Sequence, residues 1–306
     1  MPHDVTGPSR RSLLGCALMG SAGVLWTVAG GVPRALRLDG SAHAAEARGF
    51  RFAQISDTHI GFKGAANPEP GATLAAALAR VGGTRPAFLI HTGDVSHLSK
   101  PAELDDAAEL MKAAKLDTVY VPGEHDVIGD GGAAFFARFG RGPGPRWYSF
   151  DAGGVHFVGL VNVLDLKAGG LGYLGPAQIA WLASDLEGRS PSTPVVVFAH
   201  MPLWPVYPEW GWGTDDAAAA LAPLKRFGSV TVLNGHIHQV IQKVEGSVTF
   251  HTAYSTAYPQ AAPGTPGASP GPLKVAADRL RAVLGLRDVA IVPEQAAAIH
   301  DATLAA

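Results

Sequence analysis

The sequence predicts an α/β protein, because apolar, strand-like runs alternate along it with segments of helical spacing. Five of those apolar runs end on Asp, Glu or His, and in α/β sheets ligands gather beyond the carboxyl ends of strands. Composition agrees: 47 % of the 306 residues are hydrophobic and 16 % are charged, which describes a globular chain able to bury a substantial core.

The first run, Phe52-Ala53-Gln54-Ile55, leads into Ser56-Asp57-Thr58-His59. On an extended backbone, residues two apart face one side, so Asp57 and His59 are expected to converge. Gly61 to Gly71 reads as a loop, and Leu74, Leu78 and Val81 give Thr73 to Val81 helical spacing. Ala87 to His91 is a buried strand, with Asp94 just past its carboxyl end. Pro101 to Leu116 is a helix opened by proline. The strand Thr118 to Val121 meets a Pro122-Gly123 turn that presents Glu124, His125 and Asp126 at its tip. Ala133 to Phe139 reads as a short helix, and Trp147 to Phe150 and Val155 to Val161 as strands turning at Gly153-Gly154.

Pro176 to Leu186 is a helix with proline at its start and Gly188 just beyond it. Pro194 to Ala199 is a buried strand ending on His200, followed by a loop that holds Trp204, Tyr207, Trp210 and Trp212. A helix is expected over Asp215 to Phe227. The strand Val230 to Asn234 then runs into Gly235-His236-Ile237-His238, and Ile241 to Val244 with Val248 to Thr252 reads as a hairpin. Tyr258 to Pro272 is rich in Pro, Gly and Ala and reads as a loop or linker. Asp278 to Leu284 is helical, and the pattern leaves the tail beyond undetermined.

Net charge is −2, which supports neither a nucleic-acid footprint nor a polybasic membrane surface. Cys16 is the only cysteine, so an intramolecular disulfide and a thiolate metal site are both excluded, and any metal must be held by His and carboxylate. At the N-terminus, Arg10-Arg11 precedes an uncharged run from Ser12 to Val32, and Ala42-His43-Ala44 is a small-residue cleavage site. Residues 1–44 resemble a twin-arginine (Tat) export signal, which implies the Tat machinery as a partner and a periplasmic or extracellular location. The alternative is a membrane anchor formed by an uncleaved signal, but the glycines of the run suit a permanent span poorly.

Asp57, His59, Asp94, Glu124, His125, His200, His236 and His238 all fall at strand ends. Such a set suits a pair of divalent ions with a bridging carboxylate and a shared hydroxide that attacks phosphorus. Without thiols the ions are manganese, iron or zinc. Asp57-x-His59, Gly93-Asp94, Gly123-Glu124-His125-Asp126, His200 and Gly235-His236-x-His238 resemble the ordered motif blocks of the calcineurin-like metallophosphoesterase superfamily, nearest to its bacterial cyclic-nucleotide phosphodiesterase-like members. The resemblance implies a fold of two mixed β-sheets sandwiched between helices over residues 45–257, with 258–306 as a C-terminal extension. It implies hydrolysis of small-molecule phosphate mono- or diesters. Asp57, His59 and His238 would hold one ion, His200 and His236 the other, and Asp94 would bridge; His125 would be the general acid, with Asp126 supporting its orientation.

Glu124 stands where the family has Asn, which ligates the second ion and offers an N–H to phosphate. A carboxylate also ligates, but it adds negative charge and removes that donor. A tighter or different second ion and slower ester turnover are therefore expected, and the alternative function is a metal-binding module of the same fold with little hydrolytic activity. His97 is either a partner of the site or a solvated histidine; His251 reads as an edge histidine, His91 as structural and Asn234 as a brace for its turn. The tryptophan loop is either a stacking wall for substrate or a lid packed on the protein. Lys63, Lys100 and Lys167 are the basic residues able to fold toward the site.

Overall fold

A computed structural model describes residues 24–29, 32–37, 49–142, 144–292 and 297–305 of the chain. Val24–Ala29 (β1) and Val32–Arg37 (β2) pair antiparallel within a unit of their own. Arg10-Arg11 and Ala42-His43-Ala44 lie outside the described residues. Among the described residues, no helix is long and apolar enough to cross a membrane.

From Phe50 onward two mixed sheets form. The strands are β3 (Phe50–Ile55), β4 (Leu89–His91), β5 (Thr118–Tyr120), β6 (Tyr148–Ala152), β7 (Val155–Gly159), β8 (Val195–Phe198), β9 (Val230–Asn234), β10 (Gln242–Glu245), β11 (Val248–Thr252), β12 (Gly285–Ile291) and β13 (Ala298–Thr303). One sheet has the order β13-β12-β3-β4-β5 and the other β10-β11-β9-β8-β7-β6. Within them β3, β4 and β5 run parallel, as do β7, β8, β9 and β11. All the loops that carry candidate site residues therefore leave parallel strands at their carboxyl ends.

Strand alternation assigns the faces. In β8, Val195 and Val197 join one apolar cluster while Val196 and Phe198 join another. The second cluster also takes Phe52 and Ile90 from the other sheet, so it fills the space between the sheets. Phe157 packs edge-on against Phe52 at 5.2 Å and against Phe88 at 5.1 Å, tying the layers together. The outer face of the five-stranded sheet is covered by α1 (Pro70–Thr84), α2 (Pro101–Ala113) and α3 (Ala133–Phe139) through Leu74, Leu78, Leu104, Met111 and Phe135. The outer face of the six-stranded sheet is covered by α4 (Pro176–Leu186) and α5 (Ala217–Leu221) through Leu182, Leu186 and Ala220. Both faces of each sheet are buried, which is why these strands read as continuous apolar runs.

The long helix expected over Asp215 to Phe227 is shorter. It is α-helical only to Leu221 and continues as a 3-10 turn over Ala222–Arg226, because Pro223 removes a backbone donor. The undetermined tail, after the short helix α6 (Leu280–Val283), supplies β12 and β13, and β12 pairs antiparallel with β3. Gly285–Ile291 and Ala298–Thr303, within the stretch read from sequence as an extension, are thus strands of the sheet, and Gly49–Ala306 is one compact unit.

Arg287 explains why the pattern failed there. It interrupts the apolar run of β12, yet it is fully buried. Its Nε donates to Asp301 Oδ1 at 2.8 Å, its Nη1 to Gln54 Oε1 at 3.1 Å and its Nη2 to the Thr252 carbonyl at 2.8 Å. Thr252 belongs to the other sheet, so one guanidinium spans β13, β3 and β11. Arg287→Met keeps most of the volume but leaves two buried acceptors, Gln54 Oε1 and the Thr252 carbonyl, and the partly exposed Asp301 carboxylate without this donor. It should cost about 3–5 kcal/mol in urea unfolding, and an unchanged midpoint and slope would refute this role.

Candidate metal centre

The extended backbone expected across Asp57 to His59 is not what brings them together. β3 ends at Ile55, and Asp57 and His59 both take left-handed backbone angles, φ 55° and 41°. Asp94, His236 and His238 do the same at 54°, 70° and 53°. Such angles cost non-glycine residues roughly 1–3 kcal/mol each and persist where surrounding structure holds them. Here the hold is a backbone ladder between loops. Asp57 N donates to Gly93 O at 3.0 Å and His59 N to Asp94 O at 2.9 Å, while Gly235 N donates to His200 O at 2.9 Å. Across the sheets, His236 N donates to Asp57 Oδ1 at 3.0 Å.

These loops gather the candidate ligands into two adjoining sets. Asp57, His59 and His238 form one, with His238 Nε2 lying 3.3 Å from both Asp57 Oδ1 and His59 Nε2. Glu124, His200 and His236 form the other, with Glu124 carboxylate oxygens 2.8 Å from His200 Nε2 and 2.9 Å from His236 Nδ1. Asp94 stands between them: its Oδ2 is 3.5 Å from His59 Nε2 and 3.4 Å from His200 Nε2. Every residue assigned from sequence as a metal ligand is therefore brought to one place.

The donor atoms fit a metal better than they fit one another. Glu124 Oε2, His200 Nε2 and both ring nitrogens of His236 are buried without a hydrogen-bond partner. At 2.8 Å the Glu124–His200 pair is close but lacks the alignment of a hydrogen bond. Buried polar atoms left so cost free energy unless an ion takes their lone pairs. The other ring nitrogens are used to aim the rings: His200 Nδ1 meets the Thr92 carbonyl at 2.7 Å, and His238 Nδ1 meets the Tyr258 carbonyl at 2.6 Å. A carbonyl only accepts, so each Nδ1 carries the proton and each Nε2 is left to ligate.

Charge follows the same division. Burial disfavours the anions of Asp57 and Glu124, yet the neighbouring histidines hold both carboxyls below the usual range. Burial, together with His238, His125 and His97, keeps His59 well below the ordinary imidazole value, in the neutral form a ligand needs. For His125, burial is outweighed by Asp94 and Glu124, and its value is raised. Its Nδ1 meets the His97 carbonyl at 2.6 Å, which leaves Nε2 to exchange a proton.

Asp126 does not support the His125 ring as expected. Its carboxylate accepts from Val95 N at 3.0 Å, Gly123 N at 3.0 Å, Ser96 N at 2.8 Å and Ser96 Oγ at 2.9 Å. It holds the Asp94 loop against the Gly123 turn, and the carbonyl of His97 orients His125 instead. His97 belongs to the site on its own account: its ring stacks on His125 with centroids 5.0 Å apart. His91 is structural, meeting Thr58 Oγ1 at 3.2 Å and accepting from Gly93 N at 3.2 Å, with burial pushing it down to about 3. His251 is likewise buried and pushed down to about 3, by burial and Arg287. Asn234 braces its turn by donating to the Ala199 and Met201 carbonyls, both at 2.9 Å.

The centre opens into a cleft of about 410 Å³. Trp210 and Trp212 line it, whereas Trp204 is buried against Phe250, so the tryptophan loop is part wall and part core. Tyr258, Gln260 and Pro270 to Pro272 form another side. That segment reads as a linker in sequence, and its composition holds no sign of the site. It is tied down by Gln260 Nε2, which donates to the His236 carbonyl at 2.8 Å, and by the Tyr258 ring, which stacks on His59 at 4.7 Å.

Buried carboxylates and imidazoles with no better partner than a cation mark a metal-dependent hydrolase. The sequence profile of calcineurin-like phosphoesterases matches residues 50–240, and the chain belongs to that family of phosphoric ester hydrolases. It is 26 % identical over 225 residues to a Rhodopseudomonas palustris protein described as a probable cyclic nucleotide phosphodiesterase, a match covering 66 % of this chain and 76 % of that one. Among solved structures, a dimetal phosphatase from Danio rerio superposes with a TM-score of 0.65 at 15 % identity, covering 83 % of this chain and 96 % of the other. A purple acid phosphatase from yellow lupin seeds superposes with a TM-score of 0.59 at 14 % identity, covering 83 % and 51 %. Both share the sandwich of two mixed sheets.

The loops meet only because glycine sits at the crossings. A Cβ at Gly123 would collide with the backbone nitrogen and carboxylate of Asp94, and one at Gly235 with Ser56 Oγ and, at 2.6 Å, with Asp57 Oδ2. Gly123→Ala and Gly235→Ala should each weaken metal retention by roughly 10–100-fold. Elemental analysis after dialysis against graded chelator measures this, with circular dichroism to show that the sheets persist.

Proposed function

We propose that this chain is an exported, binuclear metal-dependent hydrolase of phosphate mono- or diesters. The position of Asp94 carries the reading, because one carboxylate oxygen lies within 3.5 Å of an imidazole from each ligand set. Asp57, His59 and His238 would hold one ion and Glu124, His200 and His236 the other, with Asp94 shared. When bound, the ions supply Lewis acidity to phosphoryl oxygens and an activated water.

The protein residues do the rest. Asp57 and Asp94 keep the imidazoles in register through fixed backbone contacts, and the Tyr258 and Thr92 carbonyls set the tautomers of His238 and His200. His125 protonates the leaving oxygen: Asp94 and Glu124 favour its protonated form, and the His97 carbonyl commits Nδ1 so that Nε2 delivers the proton. The twin-arginine segment supports export to the periplasm or beyond. The phosphodiesterase description of the Rhodopseudomonas palustris relative supports diesters within the substrate range.

Full-length protein supplied with manganese should hydrolyse 4-nitrophenyl phosphate, bis(4-nitrophenyl) phosphate or both. His125→Ala should lower kcat by about 10²–10⁴-fold with metal content unchanged. Metal-replete protein inert toward a broad ester panel would instead favour the metal-binding module.

A further inference from the structure

We infer that the Tyr258 hydroxyl donates a hydrogen bond to a phosphoryl oxygen of the substrate, which makes it a catalytic residue beside the imidazoles and carboxylates of the centre. This rests on the hydrolase reading above and adds a group to the same site. Tyr258 lines the cleft and is only 3 % exposed. Its ring lies 4.7 Å from that of His59, tilted from it by 23°, and 4.8 Å from that of His238. It therefore flanks two members of one ligand set. Its amide donates to Ser255 Oγ and its carbonyl accepts from His238, yet its hydroxyl has no hydrogen-bond partner among the described residues. Nor is that hydroxyl sealed off, so it is open to what enters the cleft. A tyrosine hydroxyl is a donor at neutral pH, and one on a buried ring ordinarily finds a partner.

The donor is held in place by the fold alone. Ser255 Oγ donates to the Asp57 carbonyl at 2.7 Å and accepts from Ala257 N at 2.8 Å and Tyr258 N at 3.2 Å. Thr256 N donates to the Ser56 carbonyl at 3.1 Å, and Asn67 Nδ2 to the Ala257 carbonyl at 2.7 Å. Phe62 packs against the tyrosine ring at 4.6 Å. The turn that carries Tyr258 is thus tied to the Asp57 loop through Ser255 and Thr256, and to the His238 loop through its own carbonyl. A donor fixed in this way costs no reorganisation when charge develops on an oxygen.

Other donors on the cleft wall are spent or differently placed. Among the described residues that line it there is no lysine or arginine. Gln260 Nε2 is turned to the His236 carbonyl, Gly170 N to the Lys167 carbonyl and Gly271 N to Gln260 Oε1. The indoles of Trp210 and Trp212 pack edge-on against each other at 5.2 Å, and Trp210 against Tyr207 at 5.4 Å, rather than against a ligand ring. His125 gives its proton to the leaving oxygen. The non-bridging oxygens of the phosphoryl group need a donor of their own, and the tyrosine hydroxyl supplies it.

The test compares the parent with Tyr258→Phe, both as manganese-loaded full-length protein; the change keeps the ring on His59 and removes only the hydroxyl. Metal content is measured for each, and every value is expressed per bound metal. Tyr258→Phe should lower kcat for 4-nitrophenyl phosphate or bis(4-nitrophenyl) phosphate by about 10–100-fold. By calorimetry it should weaken inorganic phosphate binding by about tenfold. Unchanged kcat and phosphate affinity would overturn the inference and leave Tyr258 a plate behind the histidines. A loss that follows metal content alone would overturn it too. A parent inert toward every ester defeats the hydrolase reading instead, and the phosphate comparison still decides the contact.

Discussion

The close approach of backbones at the carboxyl ends of the sheets is the constraint on which the rest of the structure depends. Asp57, Asp94, Glu124, His200 and His236 come from loops after five different strands, and their ligating atoms must meet within a few ångströms. Two devices permit it: glycine where one loop crosses another, and left-handed backbone where a ligand must turn back toward the centre. Both are locally unfavourable, and both are held by hydrogen bonds between loops and by the Asp126 carboxylate. Strain is concentrated where a cation would repay it.

Much of this arrangement is legible in sequence. Apolar runs buried on both faces announce β8 and β9, and polar residues at their ends mark the candidate ligands that the fold brings together. The boundaries of α3, α4 and β9 coincide with their reading from proline, glycine and periodicity. The geometry of convergence is not legible, because Asp57 and His59 meet through positive φ angles that no alternation pattern encodes. The role of Asp126 is hidden for a related reason: its neighbour in sequence is His125, but its partners are the backbone of a loop some thirty residues away.

The tail illustrates a different failure. A buried arginine breaks the apolar period of β12 and its carboxylate partner, Asp301, that of β13, so an inner strand of the sheet and its neighbour resemble solvent-exposed chain. The Tyr258 to Pro272 segment, Pro- and Gly-rich, likewise looks like a tether, although its residues close one side of the cleft. In both cases long-range polar contacts, not local composition, fix the structure.

The pairing of β12 with β3 bears on when the protein can be finished. A nascent chain that has emerged only as far as β11 already carries every histidine and carboxylate of the cage. The strand β3, which leads into Asp57, has β4 on one side but still lacks β12 on the other, and the guanidinium that laces the two sheets has not yet been made. Synthesis must run well past His238 before the five-stranded sheet is complete, so the strand that leads into Asp57 gains its β12 partner only after all the candidate ligands have been made.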